Sequence, residues 1–336
     1  MSEAVGSGAA AASSAAGIEV GLNAAIVAVE SVTPLILVVE DGRDSSDSLP
    51  FGPFDPVGHR TLEIGLRGWV EAQTHLKLGY VEQLYTFGDR GRHAEASVRD
   101  PRVMSVGYLA LTRRSPESDE MLKHSRAAWR PWYGYFPWED WRGGRPSPLD
   151  AILPLLSAWS EEKPDRDAPA RPIARRDRVR LAFGSGDVPW DEERVLERFE
   201  ILYEAGLVEE ALRDDRAAAH GRKSLPSLGL AMRHDHRRIL ATAISRLRGK
   251  LKYRPVVFEL MPETFTLTEL QHTVEAIFGQ HLHKQNFRRL VEKGQLVEPT
   301  GGTATATGGR PAALFRFRRE VLQERPAPGF RLGGRA

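Results

Sequence analysis

Three carboxylates between residues 49 and 76 have types and spacing that suit metal-assisted phosphate chemistry. Asp55 lies in a proline-flanked loop, and Glu63 and Glu71 follow in a segment with helical spacing. The two glutamates are eight residues apart, about two helical turns, so they can share one face of a helix. Hard cations such as Mg²⁺ bind oxygen ligands of this kind. One hypothesis is therefore a hydrolase that uses these three residues to bind a metal ion.

Cationic side chains stand among these carboxylates and favour a second hypothesis, in which a phosphate binds without a metal. His59 and Arg60 precede the helical segment, and Arg67 lies within it. A cation at these positions opposes a metal ion but attracts a phosphate. We predict that His59, Arg60 and Arg67 contact the phosphates of a nucleotide effector. Tyr85 and Phe87, in the next apolar segment, are predicted to contact its base.

Residues 49–76 resemble a Nudix box, in which a loop and a helix present glutamates that hold Mg²⁺ against a diphosphate. The apolar positions of residues 61–71 repeat with helical spacing, which a plain amphipathic helix would also explain. In the register of the box, Ala72 and Gln73 occupy the positions of two adjacent glutamates, and His75 occupies that of a glycine. The resemblance implies a phosphate-binding scaffold with no metal site and no catalytic residue.

The composition limits the class of protein. The chain has 336 residues and no cysteine, so thiol catalysis, disulfides and zinc-thiolate sites are excluded. This length suits two domains better than one. No apolar run is long enough for a membrane span, and residues 1–17 form an Ala/Ser/Gly-rich tail without the pattern of a signal peptide. We expect a cytoplasmic protein with no membrane partner and no required cofactor.

Charge is divided unevenly along the chain. Residues 231–336 contain 19 lysines and arginines against 9 acidic residues, a balance of +10, whereas the whole chain carries only +2. Residues 1–230 therefore carry −8. A basic C-terminal third on an acidic body is typical of a protein that meets nucleic acid at one end, with a merely solvated surface as the alternative.

The segments around the box predict a mixed α/β sheet. Residues 24–29 and 35–39 are short apolar runs on either side of a turn and are predicted to be paired strands. Residues 80–87 and 103–111 are predicted to be further strands, and residues 178–183 one more. Strands before and after a loop-helix element favour an α/β/α arrangement of layers.

An aromatic-rich insertion is predicted at about residues 112–176. Seven aromatic residues lie between positions 129 and 141. One interpretation is a flap that seals an apolar surface, and the other is a platform that stacks a nucleobase or an arginine. Two amphipathic helices are predicted after the insertion, at residues 190–207 and 235–251.

The C-terminal segment has the pattern of a helix-turn-helix. Thr266 and Glu269 form a capping box, and Gly279 marks the end of the helix that they start. A second helix is predicted at residues 284–293, with its apolar side chains on one face. In a helix-turn-helix the second helix reads the major groove of DNA. The predicted DNA-binding residues of this helix are Lys284, Gln285, Arg288 and Arg289.

A wing is predicted after the second helix. Residues 296–298 and 313–318 have the pattern of two strands, and the loop between them is rich in glycine and threonine. Arg310, Arg316 and Arg318 are its predicted phosphate contacts. The alternative for the whole C-terminal module is a small helical domain that binds another protein.

Three stretches taken together resemble the NrtR-like, Nudix-related transcriptional regulators of NAD metabolism. They are EQLYTFGD at residues 82–89 with MSVGYLAL at 104–111, AISRLRGKLKYRPV at 243–256, and FTLTELQ at 265–271 with NFRR at 286–289. The aromatic stretch YGYFPWEDW at residues 133–141 is more similar to the alphaproteobacterial branch called NadQ. The resemblance covers roughly residues 20–320.

This resemblance implies a repressor of NAD-biosynthesis genes that forms a homodimer and binds a palindromic, double-stranded operator. The implied effector is a nucleotide, ATP, NAD or ADP-ribose, whose binding releases the operator. The alternative function is that of an active Nudix hydrolase acting on ADP-ribose or a related nucleoside diphosphate derivative.

The resemblance also implies an α+β fold in two parts. A Nudix-like effector-binding domain with a mixed sheet is expected at residues 18–230, and a linker helix with a winged helix-turn-helix domain at residues 231–325. A disordered tail at residues 1–17 and a flexible tail at residues 326–336 are expected to flank them.

Overall fold

The computed structural model describes residues 17–40, 46–89, 102–162, 172–220, 226–304, 311–324 and 329–330. A six-stranded mixed sheet forms the N-terminal part of this described chain. Its strands are β1 Ile18–Glu30, β2 Thr33–Val39, β3 Phe51–Pro53, β4 Tyr80–Phe87, β5 Arg102–Leu111 and β6 Ala127–Pro131. The order across the sheet is β4-β5-β1-β2-β6, and β3 also pairs with β1.

Helices surround the sheet and continue into a C-terminal module. Those of the N-terminal part are α1 Leu62–Thr74, α2 Pro116–Lys123, α3 Pro148–Glu161, α4 Arg175–Phe183, α5 Val195–Glu204 and α6 Glu209–Arg213. The long helix α7 His236–Tyr253 leads to α8 Leu267–Phe278, α9 Lys284–Gly294, β7 Val297–Ala304, β8 Ala312–Phe317 and α10 Val321–Glu324. Within the described residues, no helix is both long and apolar enough to cross a membrane.

The side chains of the central strand β1 pack into a different layer on each face of the sheet. It runs parallel to β5 and antiparallel to β2, so the sheet is mixed, as predicted. Side chains alternate between the two faces of a strand. Leu22, Ala24 and Ile26 pack in one cluster with α1, whereas Ala25 and Val27 pack in a second cluster with α7. The α/β/α arrangement is therefore confirmed.

Two sequence predictions differ from the observed elements. Residues 178–183 were predicted to be a strand, but they lie in α4. Val179 and Phe183 are four residues apart and both pack toward the core, which is helical spacing, and Arg178 binds Glu204 of α5 at 2.6 Å. The predicted insertion also supplies a strand, because β6 pairs with β2 at the sheet edge.

The second apolar cluster crosses the predicted boundary between residues 230 and 231. It joins the sheet, the aromatic insertion and α7 to the buried side chains of α8 and α9. Phe330, in the segment expected to be a flexible tail, is buried, and its ring stacks on Phe287 of α9 at 5.8 Å. Because this aromatic ring packs into the apolar core, residues 329–330 differ from the flexible tail that the sequence predicts. The other residues of that tail and residues 1–16 lie outside the described chain.

The aromatic insertion forms part of this core. Trp132, Tyr135, Phe136 and Trp138 are fully buried. The interpretation of the insertion as a flap that seals an apolar surface is therefore confirmed for these four side chains.

Three fully buried charged side chains lie at the centre of this packing, and we name them the buried charge cluster. Glu139 of the insertion binds Arg198 of α5 through both carboxylate oxygens, at 2.6 and 2.8 Å. Arg248 of α7 binds the same carboxylate at 2.7 Å. All three side chains are at most 1% exposed. Removing one partner of such a group leaves a buried charge without compensation.

We expect Glu139→Ala to lower the free energy of unfolding by about 3–5 kcal/mol, because two buried arginines would lose their counter-charge. Urea denaturation of the full chain measures this change. The control is Glu120→Ala, which removes an exposed ion pair with Lys123 on α2 and should cost about 1 kcal/mol or less. Equal losses in the two variants would contradict the role given to Glu139.

Candidate effector site and nucleic-acid interface

The box helix α1 forms as the sequence predicts. Thr61 caps it by accepting a hydrogen bond from the amide of Ile64 at 3.2 Å. His75, at the position where the Nudix pattern has glycine, ends the helix with a left-handed φ of 59°. Only glycine adopts this backbone conformation without strain, which gives the glycine of the pattern a physical reason.

Gln73, which the sequence register aligns with a glutamate of the box, binds the backbone. Its Oε1 accepts from the Phe51 amide at 3.0 Å, and its Nε2 donates to the Phe51 carbonyl at 2.7 Å. Beside it, the Trp69 indole donates to the Pro53 carbonyl at 2.8 Å. A Cβ at Gly52 would lie 2.2 Å from the Trp69 ring, so the glycine allows this close packing. Both side chains fasten α1 to β3.

Each of the remaining carboxylates of the box has its own partner within the protein. Glu63 binds Arg67 at 2.8 Å, and Glu71 lies 4.0 Å from Lys77. The Asp55 carboxylate accepts from the Val57 amide at 2.9 Å, and this backbone hydrogen bond lowers the pKa of Asp55. No group of three His, Cys, Asp or Glu side chains in the described residues is placed to hold a metal ion.

The three predicted phosphate contacts have different surroundings. His59 folds the loop, since its Nδ1 accepts from the Asp55 amide at 3.0 Å. The Arg67 guanidinium binds Glu63 and also donates to the Gly79 carbonyl at 3.1 Å. Arg60 is exposed directly before α1. Of the three, Arg60 is exposed, whereas His59 and Arg67 are half-buried.

The two predicted base contacts lie on the edge strand β4. Tyr85 is 64% exposed, whereas Phe87 is 3% exposed. Their rings meet edge to face at 5.3 Å, and the Arg238 guanidinium covers Phe87 at 4.7 Å. Tyr85 therefore presents its ring to solvent, whereas Phe87 is buried beside it.

The helix-turn-helix has the amphipathic form that the sequence predicts. The capping box of α8 is present, with the Glu269 amide donating to Thr266 Oγ1 at 3.2 Å. In α9, Phe287 and Val291 are buried. The exposed face of α9 carries the predicted DNA-binding residues Lys284, Gln285, Arg288 and Arg289.

Glu275, which the sequence patterns did not single out, fixes the turn between α8 and α9. Its carboxylate accepts from Gln271 at 2.7 Å, from the Leu282 amide at 2.9 Å and from His281 at 2.9 Å. Burial opposes its ionisation, but these hydrogen bonds outweigh burial and lower the pKa of Glu275. Its four-residue spacing from Gln271 was the available signal.

The wing is confirmed as the antiparallel pair β7 and β8. Arg316 on β8 is largely exposed and binds Glu298 across the pair at 2.6 Å. The Arg318 guanidinium lies 3.4 Å from the Gln295 carbonyl, at the end of α9. Arg310, the third predicted phosphate contact, lies outside the described residues.

Comparisons with known sequences agree with the assignment of the C-terminal module as a winged helix. Residues 257–317 match the sequence model of the family described as the NrtR DNA-binding winged helix domain. The C-terminal module is a winged helix, and its sequence is similar to the domains of this family. Over 91 residues the chain is 43% identical to the "ADPR responsive transcriptional repressor NtrR" of Acinetobacter baylyi. That alignment covers 27% of this chain and 36% of the relative, about a third of its length.

Solved structures extend the similarity to the fold of the whole chain. The crystal structure of Shewanella oneidensis NrtR complexed with a 27mer DNA superposes with a TM-score of 0.53 and 19% identity, over 90% of this chain and 95% of that chain. A second crystal structure of the same protein gives a TM-score of 0.52 over the same shares. The fold class is therefore a Nudix-like mixed α/β domain followed by a winged helix.

We expect Gln73→Glu to lower the free energy of unfolding by about 1–3 kcal/mol at neutral pH, because a carboxylate cannot donate to the Phe51 carbonyl. Chemical denaturation measures the loss. The control is Gln83→Glu, because Gln83 is exposed and only accepts, from the Tyr108 hydroxyl at 3.4 Å. This control should change stability by about 0.5 kcal/mol or less. A Gln73→Glu variant as stable as its control would show that the pairing with Phe51 matters little.

Proposed function

We propose that the chain is a transcriptional repressor that binds operator DNA through α9 and the wing. The observation that carries the proposal is the exposed face of α9, where Lys284, Gln285, Arg288 and Arg289 stand within a segment that matches a DNA-binding winged helix family. Amide and guanidinium groups pair with base edges in the major groove. Arg316 and Arg318 are suited to the flanking phosphates.

ADP-ribose is the effector that we propose first, and ATP and NAD are the alternatives. The relative in Acinetobacter baylyi is described as responsive to ADPR. Arg60 is proposed to bind a phosphate and Tyr85 to stack on the adenine. His59, Arg67 and Phe87 are assigned supporting positions, because each already has protein partners.

The effector is proposed to stay intact in the site. Gln73 is engaged with the backbone of β3, and Ala72 beside it has no oxygen ligand. Mg²⁺ requires oxygen ligands, mostly carboxylates, so these two positions do not hold it. A binder without hydrolysis is the function that this arrangement supports.

A homodimer on a palindromic operator upstream of NAD-biosynthesis genes completes the proposal. The +10 balance of residues 231–336 favours an anionic partner. A two-fold dimer presents two copies of α9 to two half-sites, which is how helix-turn-helix proteins read palindromes. The NadQ-like aromatic stretch at residues 133–141 supports placing the chain in that branch.

We expect the chain to retard the DNA upstream of its own gene in a gel shift, and ADP-ribose to weaken that complex by about 5–150-fold, the range of ordinary coupling energies. ATP and NAD are added in parallel arms. Linkage requires operator DNA to weaken effector binding by the same factor, which calorimetry measures. Equal affinity for this DNA and for random DNA would reject the repressor.

Incubation with Mg²⁺ or Mn²⁺ and ADP-ribose, NADH or ATP tests the hydrolase alternative. Chromatography should recover the nucleotide unchanged. Release of AMP or phosphate that Glu71→Gln abolishes would reverse the assignment in favour of an enzyme.

The two parts of the DNA interface should respond differently to mutation. Arg289→Ala is expected to cost about 1–3 kcal/mol on the operator and to relax base preference, whereas Arg316→Ala should weaken all DNA alike and reduce the salt slope by about one. Lys123→Ala on α2 is a control that removes an exposed charge far from α9 in sequence. Unchanged affinity in both arginine variants would mean that this face does not bind DNA.

A further inference from the structure

Three donors from outside the winged helix bind the C-terminal turn of α8, and we name them the α8 end contact. The last carbonyl groups of a helix have no partner within the helix. The Tyr133 hydroxyl donates to the Ala276 carbonyl at 2.8 Å, and Arg248 Nε donates to the Ile277 carbonyl at 2.8 Å. The Trp141 amide donates to the Gly279 carbonyl at 2.7 Å. The aromatic insertion and α7 thus complete a helix that belongs to the DNA-binding module.

Gly279 allows the insertion to approach α8 this closely. Its φ of +70° lies in the left-handed region. A Cβ at this position would lie 2.4 Å from the Glu139 carbonyl oxygen and 2.7 Å from the Tyr133 hydroxyl. Glycine is therefore required both by the backbone conformation and by the space.

The donors of the α8 end contact are themselves held in place. Arg248 binds the Glu139 carboxylate at 2.7 Å and the Glu192 carbonyl at 2.9 Å. Burial raises the pKa of Tyr133, so its hydroxyl stays protonated and continues to donate. Because these groups are desolvated, separating α8 from them would leave polar atoms without partners.

The opposite end of α7 is joined to the box. His236, in the first turn of α7, accepts from the Leu49 amide at 3.0 Å, and its other ring nitrogen lies 2.9 Å from the Asn23 side-chain oxygen. Its ring also meets Phe51, the residue that Gln73 binds, at 5.1 Å. One helix of 18 residues, about 27 Å long, therefore spans from the box to the α8 end contact.

We propose that Tyr133 and Arg248 are positioning residues for DNA recognition, which fix α8 and α9 to the effector-binding part so that one chain turns as a single body. The effector then changes operator affinity by rotating one copy of the chain against the other, with no hinge within a chain. This inference rests on the proposed function, since it assumes a homodimer whose DNA binding is controlled by an effector. It also agrees with the apolar cluster that runs unbroken from the sheet to α9.

Pulsed electron resonance between two spin labels tests the rigidity directly. The chain has no cysteine, so Lys77→Cys near the box and His272→Cys on α8, both exposed, accept labels uniquely. Excess unlabelled chain restricts the signal to distances within one molecule. We expect one narrow distance distribution, with the same mean after saturation with ADP-ribose.

Tyr133→Phe removes only the hydroxyl of the α8 end contact. We expect a broader distance distribution and operator binding about tenfold weaker, the loss of roughly one hydrogen bond, with ADP-ribose affinity unchanged. Tyr203→Phe is the matched control, because its buried hydroxyl donates to Asp214 within the N-terminal part at 2.9 Å. It should alter neither the distribution nor operator binding.

Each outcome bears on the proposal. A broad or two-peaked distribution in the unmodified sequence, or a shift of the mean on adding ADP-ribose, would establish a hinge and overturn it, whether or not the variant folds. Unchanged width and unchanged operator affinity in Tyr133→Phe would also overturn it. Failure of ADP-ribose to bind in calorimetry would reject the proposed effector alone. The width of the distance distribution measured without ADP-ribose still tests the positioning role of Tyr133.

Discussion

The relative position of several elements of the described chain depends on one buried carboxylate. Glu139 faces Arg198 and Arg248, and burying two cations against one anion leaves a positive surplus. Main-chain carbonyls compensate this excess positive charge, because both guanidiniums also donate hydrogen bonds to them. Those carbonyls belong to Ala182, Asp191, Glu192 and Ile277. A charge in a low-dielectric interior tolerates little displacement of its partners. The insertion, α5, α7 and α8 are consequently held in one relative position.

Local signals in the sequence predicted much of the fold. The apolar runs of β1 and β2, the capping box at Thr266 and the two-faced pattern of α9 each depend on residues within a few positions of one another. The partners of the buried charge cluster gave no such signal, because Glu139 lies 59 residues from Arg198 and 109 residues from Arg248. Pairing across such distances is decided by the packing of whole elements.

The surroundings of the candidate site residues could be predicted from the sequence only in part. The absence of carboxylates at Ala72 and Gln73 was readable from the sequence, but the pairing of Gln73 with the Phe51 backbone was not. Arg67 looked like a free cation because its backbone acceptors, 11 and 12 residues away, are brought close only by the fold. Phe87 looked available because the covering Arg238 lies in a distant helix.

The Gln73 side chain has a consequence for how the helix α1 is attached to the sheet. A side-chain amide has N–H donors beside a carbonyl acceptor, as a peptide group has one of each, and Gln73 presents one donor and one acceptor to Phe51 as though it were another residue of the sheet. A glutamate at this position would break that pairing, because a carboxylate cannot donate to the Phe51 carbonyl. The amide thus extends the hydrogen bonding of the sheet into the helix that covers it, and a residue that replaces Gln73 must supply both a donor and an acceptor to keep α1 fastened to β3.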